Sequence, residues 1–477
     1  MRAPSDPGRA GPGAKRVKPR GRLDLESLRA EIEAGDIETV ITALPDLYGR
    51  LVGKRIVGGF FLDEVADHGM HVCDYLMACD MEMDPTPGYA FTSWETGYGD
   101  LHALPDLATL RRADWLDRTA FVLCDAVAED GGEPVPVAPR SILRAQLERA
   151  AAQGFTLKMG SELEFFLFRD GYGEARAKGY RQLETSQDYI EDYHLLSGTM
   201  AEPVIGAIRR HVDASAIPVE FSKGEWGPGQ HEINLRYAPA LEMADRHVIY
   251  KLAAKEIAHQ QGGALTFMAK WDAQLAGNSL HVHVSLWDEQ DRAAFPGEEP
   301  IAGTPVRASA NFRGFLGGLL AHARELSWFF APTVNAYKRF QPGTFAPTGI
   351  AWSWDNRTAG FRVVGHGSSL RIECRIPGAD ANPYLVYAAL VAAGLDGIEK
   401  GLDPGPVFQG NVYEAVGLPQ VPASLGEAIE LLSESRFARR VFGADVVAHL
   451  LHFARTEHAA FGAAVTDWER QRYFERG

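Results

Sequence analysis

The sequence predicts an α+β protein of two units, a small and mostly β N-terminal unit followed by a larger unit in which strands and helices alternate. Three observations predict it. The chain has 477 residues, too long for one ordinary compact core. A break rich in Pro, Gly and acidic residues (AEDGGEPVPVAP) runs from Ala128 to Pro139. Before it, short apolar runs are punctuated by Pro, Gly and Asp; after it, period-two strands alternate with 3.6-period helices.

Taken in order, Met1 to Arg22 is rich in Arg, Lys, Pro and Gly without an apolar core, which reads as a disordered basic tail and not a secretory signal. Asp24–Ala34 reads as a short amphipathic helix. Strands follow over Glu38–Ile56, interrupted at Pro45 and Gly49, and then a glycine turn at Gly58–Gly59. A helix opens at Arg140–Ser141, where Ile142, Leu143, Leu147 and Ala150 recur at helical spacing. The expected domains are a tail over 1–22, an N-terminal domain over 23–132 and a catalytic domain over 139–477.

Composition excludes several classes of function. With 46% apolar and 23% charged residues, this is the composition of a soluble globular protein. No apolar run approaches the roughly 20 residues that span a bilayer. A net charge of −15, more negative still without the tail, disfavours nucleic-acid binding. Cys73, Cys79, Cys124 and Cys374 form no CxxC pair, so they read as reduced thiols in a cytoplasmic protein.

Four segments carry chemistry. In MGSELEFFLF (159–168), Glu162 and Glu164 share a strand face. Side by side, they need a cation, a proton or an arginine between them, or else they form a solvated pair on an edge strand. In EWGPGQHE (225–232), a Gly-Pro-Gly turn separates Glu225 from Glu232, so both can point inward or the turn can simply be exposed. LHVHVSL (280–286) puts His281, His283 and Ser285 on one face, and RIECRI (371–376) does the same for Arg371, Glu373 and Arg375. Polar strand faces this dense in Glu, His and Arg are not routine solvent faces. Many carboxylates with few imidazoles suit Mg²⁺ or Mn²⁺, and arginines beside such ions suit phosphate. There is no Walker loop and no kinase HRD or DFG set, so any nucleotide site is of another kind.

Together with PTVNAYKRFQPGTFAPTGIAWSWDNRTAGFR and LRIECRIPGADANPYL, these segments occur in an order and spacing that resembles the type I glutamine synthetases from about residue 24 to the end. The resemblance implies a β-grasp N-terminal domain, a catalytic α/β domain with a curved antiparallel sheet, and a ring oligomer, a dodecamer, with sites between neighbours. It implies one metal on Glu164, Glu225 and Glu232 and a second on Glu162, His281 and Glu373. ATP would meet His283, Arg362 and Arg371, glutamate would meet Arg339 and Gly277, and the transferring phosphoryl group would face Arg357 and Arg375. The reaction it implies passes through γ-glutamyl phosphate.

The sequence departs from the ammonia-using members at the acceptor. Two residues past Pro342-Gly343, where those members carry a glutamate, stands Phe345. Their Asp-Gly-Ser-Ser signature is absent, and in its place stands His71-Val72-Cys73-Asp74-Tyr75-Leu76, with Asp74 as a candidate counterpart. Their Asn-Gly before the histidine strand reads Ala276-Gly277. An intact metal and phosphate set with an altered acceptor pocket resembles the γ-glutamylpolyamine and γ-glutamylethanolamide synthetases, whose acceptor is a primary amine. Ordinary glutamine synthetase is the alternative. A catalytically silent homologue would lack metal ligands, and all six are in place. Tyr413 matches by position a tyrosine that some members adenylylate, but the residues after it differ, and it reads as a surface tyrosine.

Overall fold

The computed structural model describes residues 20–129 and 132–477. Positions 1–19 of the expected tail lie outside it, whereas Arg22 belongs to the folded part: it bridges to Arg111 and its guanidinium lies 3.2 Å from Glu242.

The first helix, Leu25–Glu33, starts where Asp24 and Ser27 cap each other reciprocally. Strands Thr39–Pro45 and Leu51–Val57 form a hairpin whose turn is closed by Asp46, which accepts from the N–H groups of Tyr48 and Arg50. Gly58–Gly59 does not make the expected turn. It opens a helical segment that runs with a π-helical middle to His68, because Phe61 and Val65, four apart, are buried on one face. Strands Met70–Cys73, Asp100–Pro105 and Thr119–Ala128 complete a sheet in which Thr39–Pro45 and Thr119–Ala128 run parallel at the centre. A parallel central pair flanked by antiparallel neighbours, with the helix packed on it, is a β-grasp arrangement.

The second unit begins at helix Pro139–Ala152, one residue before the sequence places it, with Pro139 in the first turn, where its missing N–H is not needed. Its sheet runs in the order 352–354, 361–364, 371–374, 280–288, 155–168, 230–235, 219–224. All pairs in it are antiparallel except the edge pair Trp352–Trp354 with Phe361–Val364. The long strand Phe155–Phe168 is its axis, paired on both sides. Alternation does the sorting: Met159, Leu163 and Phe165 turn to the helices behind the sheet, while Glu162 and Glu164 turn to the open face. Helices Ala240–Gln260 and Pro383–Lys400 cover the back, and most buried apolar residues of both units form one continuous core, with Ala351, Ala359 and Val412 in a small separate cluster.

A charged knot stitches the units together. Arg140, buried, reaches Asp106 at 2.6 Å and Asp245 at 2.9 Å, and also contacts Asp125; Tyr384 donates to Asp245 at 2.6 Å. Arg140→Met leaves the buried Asp245 carboxylate without its cation, and removing one partner of such a pair costs about 3–5 kcal/mol. Chemical denaturation should show that loss; a change below about 1 kcal/mol would refute the assignment of Arg140 as the joint.

Candidate active site

Strand register builds the site. Across Phe155–Phe168, Glu162 pairs with His281 on one side and with Asn234 on the other, while Glu164 pairs with Glu232. One strand further, Glu373 lies between His283 and Arg362. The period-two faces visible in the sequence therefore converge on one surface. They line a cleft of about 1120 Å³ bounded by Glu162, Glu164, Glu225, Glu232, His281 and the arginines Arg357, Arg362 and Arg375, with Gly277 and Phe345 also on its wall. His283 and Arg371 line an adjoining recess of about 480 Å³ with Tyr237, Ser285 and Trp287; Glu162 borders both.

Among the described residues, ligand-type atoms lie within 4.8 Å of one another in two groups: Glu162, His281 and Glu373, and Glu164, Glu232 and His281. The first is the set expected for one metal. In the second, His281 stands nearer than the expected Glu225, whose carboxylate is held instead by Lys223 at 2.6 Å. The loop Glu225–Gly229 turns back as its sequence suggests; Gly229 has φ +72°, and a Cβ there would come within 3.0 Å of the Leu167 carbonyl.

The electrostatics divide the carboxylates into two kinds. Burial raises Glu164 to about 7, with Glu225 adding to the effect. Burial likewise raises Glu232 well above its ordinary value, helped by Glu225, Glu162 and Glu164. Burial also opposes ionisation of Glu162 and Glu373, but there it is outweighed. His283 and His281 hold Glu162 well below the usual carboxylate range, and Arg375 with the same histidines brings Glu373 to about 2. His283 Nε2 lies 2.7 Å from Glu162, Arg362 lies 2.7 Å from Glu373, and Arg375 also contacts Glu373. Burial, then Arg375, lowers His281 to about 4, so its ring is neutral and able to ligate, and its Nε2 is buried without a hydrogen-bond partner. Clustered buried carboxylates that repel one another, beside a neutral imidazole with a free nitrogen, fit a hard divalent cation.

Other residues take places that the sequence did not foretell. Arg339 is buried: it donates to the carbonyl of Ile376 at 2.8 Å, to Ser279 Oγ at 2.8 Å and to the carbonyl of Arg375 at 3.1 Å, leaving Nε unpartnered. Gly277 passes so close that a Cβ would meet Arg339 Cγ at 2.8 Å, which is why only glycine fits there. Glu164 accepts from the Ser279 N–H at 2.7 Å and from Gln230 at 3.3 Å. Gln230 and Asn234 sit on the same strand face as Glu232, so its period of two could have found them; Asp192 and Tyr193, on a loop, carry no such signal. Phe345 has a left-handed backbone (φ 58°), is 47% exposed and meets Trp226 edge-on at 6.1 Å. Tyr413 is not the free surface tyrosine expected. It is half-buried and donates to the carbonyl of Ala346 at 3.0 Å, tethering the Phe345 loop. Asp74 accepts from Thr92 at 2.5 Å on the N-terminal unit and does not line the cleft.

Residues 136–473 match the family described as glutamine synthetase, catalytic domain. This chain belongs to the glutamine synthetase family. Among the members of that family, the chain is 50% identical to gamma-glutamylethanolamide synthetase of Streptomyces coelicolor over 98% of both chains. It is 36% identical to glutamate–isopropylamine ligase of a Pseudomonas species, over 95% of this chain and 98% of that one. A solved GmaS complex with ADP superposes with a TM-score of 0.82 at 30% identity, covering 95% of this chain and all of that one. Among the described residues no helix is long and apolar enough to cross a membrane.

Proposed function

We propose that this glutamine synthetase family member is an ATP-dependent, ADP-forming ligase that joins the γ-carboxyl of glutamate to a primary organic amine. The observation that carries this reading is Phe345. An aromatic ring packed on Trp226 stands on the wall of a cleft whose other walls are dense in Glu, His and Arg. The similarity to two relatives named for amine acceptors supports it.

In this reading Glu164, Glu225 and Glu232 hold one divalent cation, Mg²⁺ or Mn²⁺, and Glu162, His281 and Glu373 hold another. When bound, these ions would supply the positive charge that neutralises phosphate oxygens. His283 and Arg371 grip the nucleotide from the adjoining recess, and Arg362 reaches its phosphates from the main cleft. Arg357 and Arg375 face the phosphoryl group as it moves, stabilising charge that builds up in transfer. Glutamate lies against Gly277 on the cleft wall, and Arg339, buried directly behind that glycine, supplies positive charge to its carboxylate. The γ-carboxylate takes the γ-phosphoryl group and ADP departs; the amine nitrogen then attacks the acyl carbon and phosphate leaves. Phe345 and Trp226 keep water from the acyl phosphate.

Residues 23–132 and 139–477 act as the two domains of a cytoplasmic enzyme that assembles as a dodecameric ring. Full activity in a monomer on sizing chromatography would overturn the assembly. The activity is tested by phosphate release with glutamate and ATP across ammonia, ethanolamine, diamines, polyamines and aromatic amines. An organic amine is expected to give the highest kcat/KM; ammonia used as well as every amine would return the chain to ordinary glutamine synthetase.

A further inference from the structure

The strand that carries Glu162 and Glu164 has one polar side chain on its other face. Along Phe155–Phe168 the side chains turned to the helices are Leu157, Met159, Ser161, Leu163, Phe165 and Leu167, all buried. Ser161 stands in the middle of this apolar row, directly before Glu162. The two covering helices each send one polar side chain to it. His247, from Ala240–Gln260, places Nδ1 3.0 Å from Ser161 Oγ. Tyr387, from Pro383–Lys400, places its hydroxyl 2.5 Å from the same oxygen. Both His247 and Tyr387 are completely buried.

Stability does not account for this trio. Burial, reinforced by the Lys251 ammonium, holds His247 well below its ordinary value, so its ring is neutral and no ion pair is gained. Its second ring nitrogen, Nε2, is buried without a hydrogen-bond partner, which carries a desolvation cost. Three apolar side chains of similar shape would fill the same space with little or no loss of stability. What hydrogen bonds add is direction. Apolar contacts are non-directional and tolerate small rotations, whereas hydrogen bonds weaken steeply as their angle drifts. The trio is complete only when the strand has the right height and rotation beneath both helices. A slip of one residue would carry Glu162 and Glu164 out of the cleft and into the core.

We propose that His247 and Tyr387 are positioning residues for the metal ligands. Through Ser161 they fix the strand so that the Glu162 and Glu164 carboxylates stand in the cleft at the spacing a divalent cation needs. This role rests on the reading of those carboxylates as metal ligands. Ser161 is paired across the sheet with Val282, and Glu162 with His281, the next step of the same ladder. Glu164 is paired on the other side with Glu232. A rotation of the strand about its axis therefore moves Glu162 against His281 and Glu164 against Glu232 together. His247 and Tyr387 line neither the main cleft nor the adjoining recess, so they act through the strand and not on a ligand. Outer groups that orient metal ligands commonly change metal affinity by about 10-fold or more when they are removed.

Mn²⁺ binding to the full-length enzyme, followed by electron paramagnetic resonance of the free ion and read beside Tm, separates positioning from packing. A triple variant with Ser161→Ala, His247→Leu and Tyr387→Phe makes the whole trio apolar. Its Tm should match or exceed that of wild type, while its Kd for Mn²⁺ should rise about tenfold. His247→Asn keeps a hydrogen-bonding atom near the place of Nδ1 but leaves a small cavity. Its Tm should fall, while its Kd for Mn²⁺ should stay within about twofold of wild type. A triple variant that binds Mn²⁺ like wild type overturns the positioning role, and so does a His247→Asn variant that loses affinity along with Tm. If the triple variant lacks the wild-type circular dichroism or oligomeric size, Tyr387→Phe decides. A rise in Kd of about threefold or more is expected there, and an unchanged Kd overturns the role. A wild-type enzyme that takes up no Mn²⁺ would instead remove the metal reading itself, and the positioning role with it.

Discussion

Glu164→Gln should abolish divalent-metal-dependent phosphate release while leaving the fold intact. Glu164 lies at the centre of the open sheet face, accepts from the Ser279 N–H and pairs across strands with Glu232. Glutamine keeps the shape and the acceptor oxygen but removes the charge that a divalent ion needs. Loss of a metal that supplies several kcal/mol of transition-state stabilisation corresponds to a rate loss of about 10³-fold or more. The same substitution should have a second, opposite effect. With its pKa raised to about 7, Glu164 favours the folded state in its protonated form, so its contribution is fully present below the ordinary carboxylate range. It is lost as pH rises through about 7, where the protein must carry the buried charge. The metal-free variant should therefore match wild type near pH 5 and exceed it at pH 8, by on the order of 1–3 kcal/mol. Added Mg²⁺ or Mn²⁺ should raise the Tm of wild type at pH 8 and barely move that of the variant. Near-normal turnover in Glu164→Gln, or an equal metal-dependent rise in Tm, would remove Glu164 from the site.

Phe345→Glu should turn the enzyme toward ammonia. Ammonium needs a carboxylate to hold its charge and to take a proton before attack. A phenyl ring forgoes a charge-assisted hydrogen bond, on the order of 1.5–3 kcal/mol. It also gives the methylenes of an organic amine an apolar wall, at roughly 0.8 kcal/mol for each CH₂ buried. Both contributions have the same sign, and together they correspond to a preference for the amine of about a hundredfold or more. The ring is positioned to act this way: it lies against Trp226, and Tyr413 holds the next residue of the loop. Because Phe345 already has a left-handed backbone and an exposed side chain, glutamate can replace it without a cavity forming in the core. The ratio of kcat/KM for ammonia to that for the best amine should rise by at least tenfold in the variant. A ratio that does not move would mean that Phe345 only packs.

Much of this protein was legible in its sequence because the chemistry sits on β-strands. A period of two is a local rule, and it placed Glu162 with Glu164, His281 with His283, and Arg371 with Glu373 and Arg375 on common faces. The break before Pro139, the capped first helix and the Gly-Pro-Gly turn were equally local. The glycine pair at 58–59 was misread as a turn, because its helical state depends on Phe61 and Val65 finding a core that no local pattern reveals. Which carboxylate stands beside which imidazole was decided by strand register, a property of pairs of segments far apart in the chain. Hence His281 came to lie between two carboxylate groups and Glu225 came to lie on Lys223. Tertiary structure alone buried Arg339 behind the cleft and tied Tyr413 to the Phe345 loop. It also set Asp192 and Tyr193 beside the Lys223 ammonium, because loops take their conformation from what they pack on and leave no period to read.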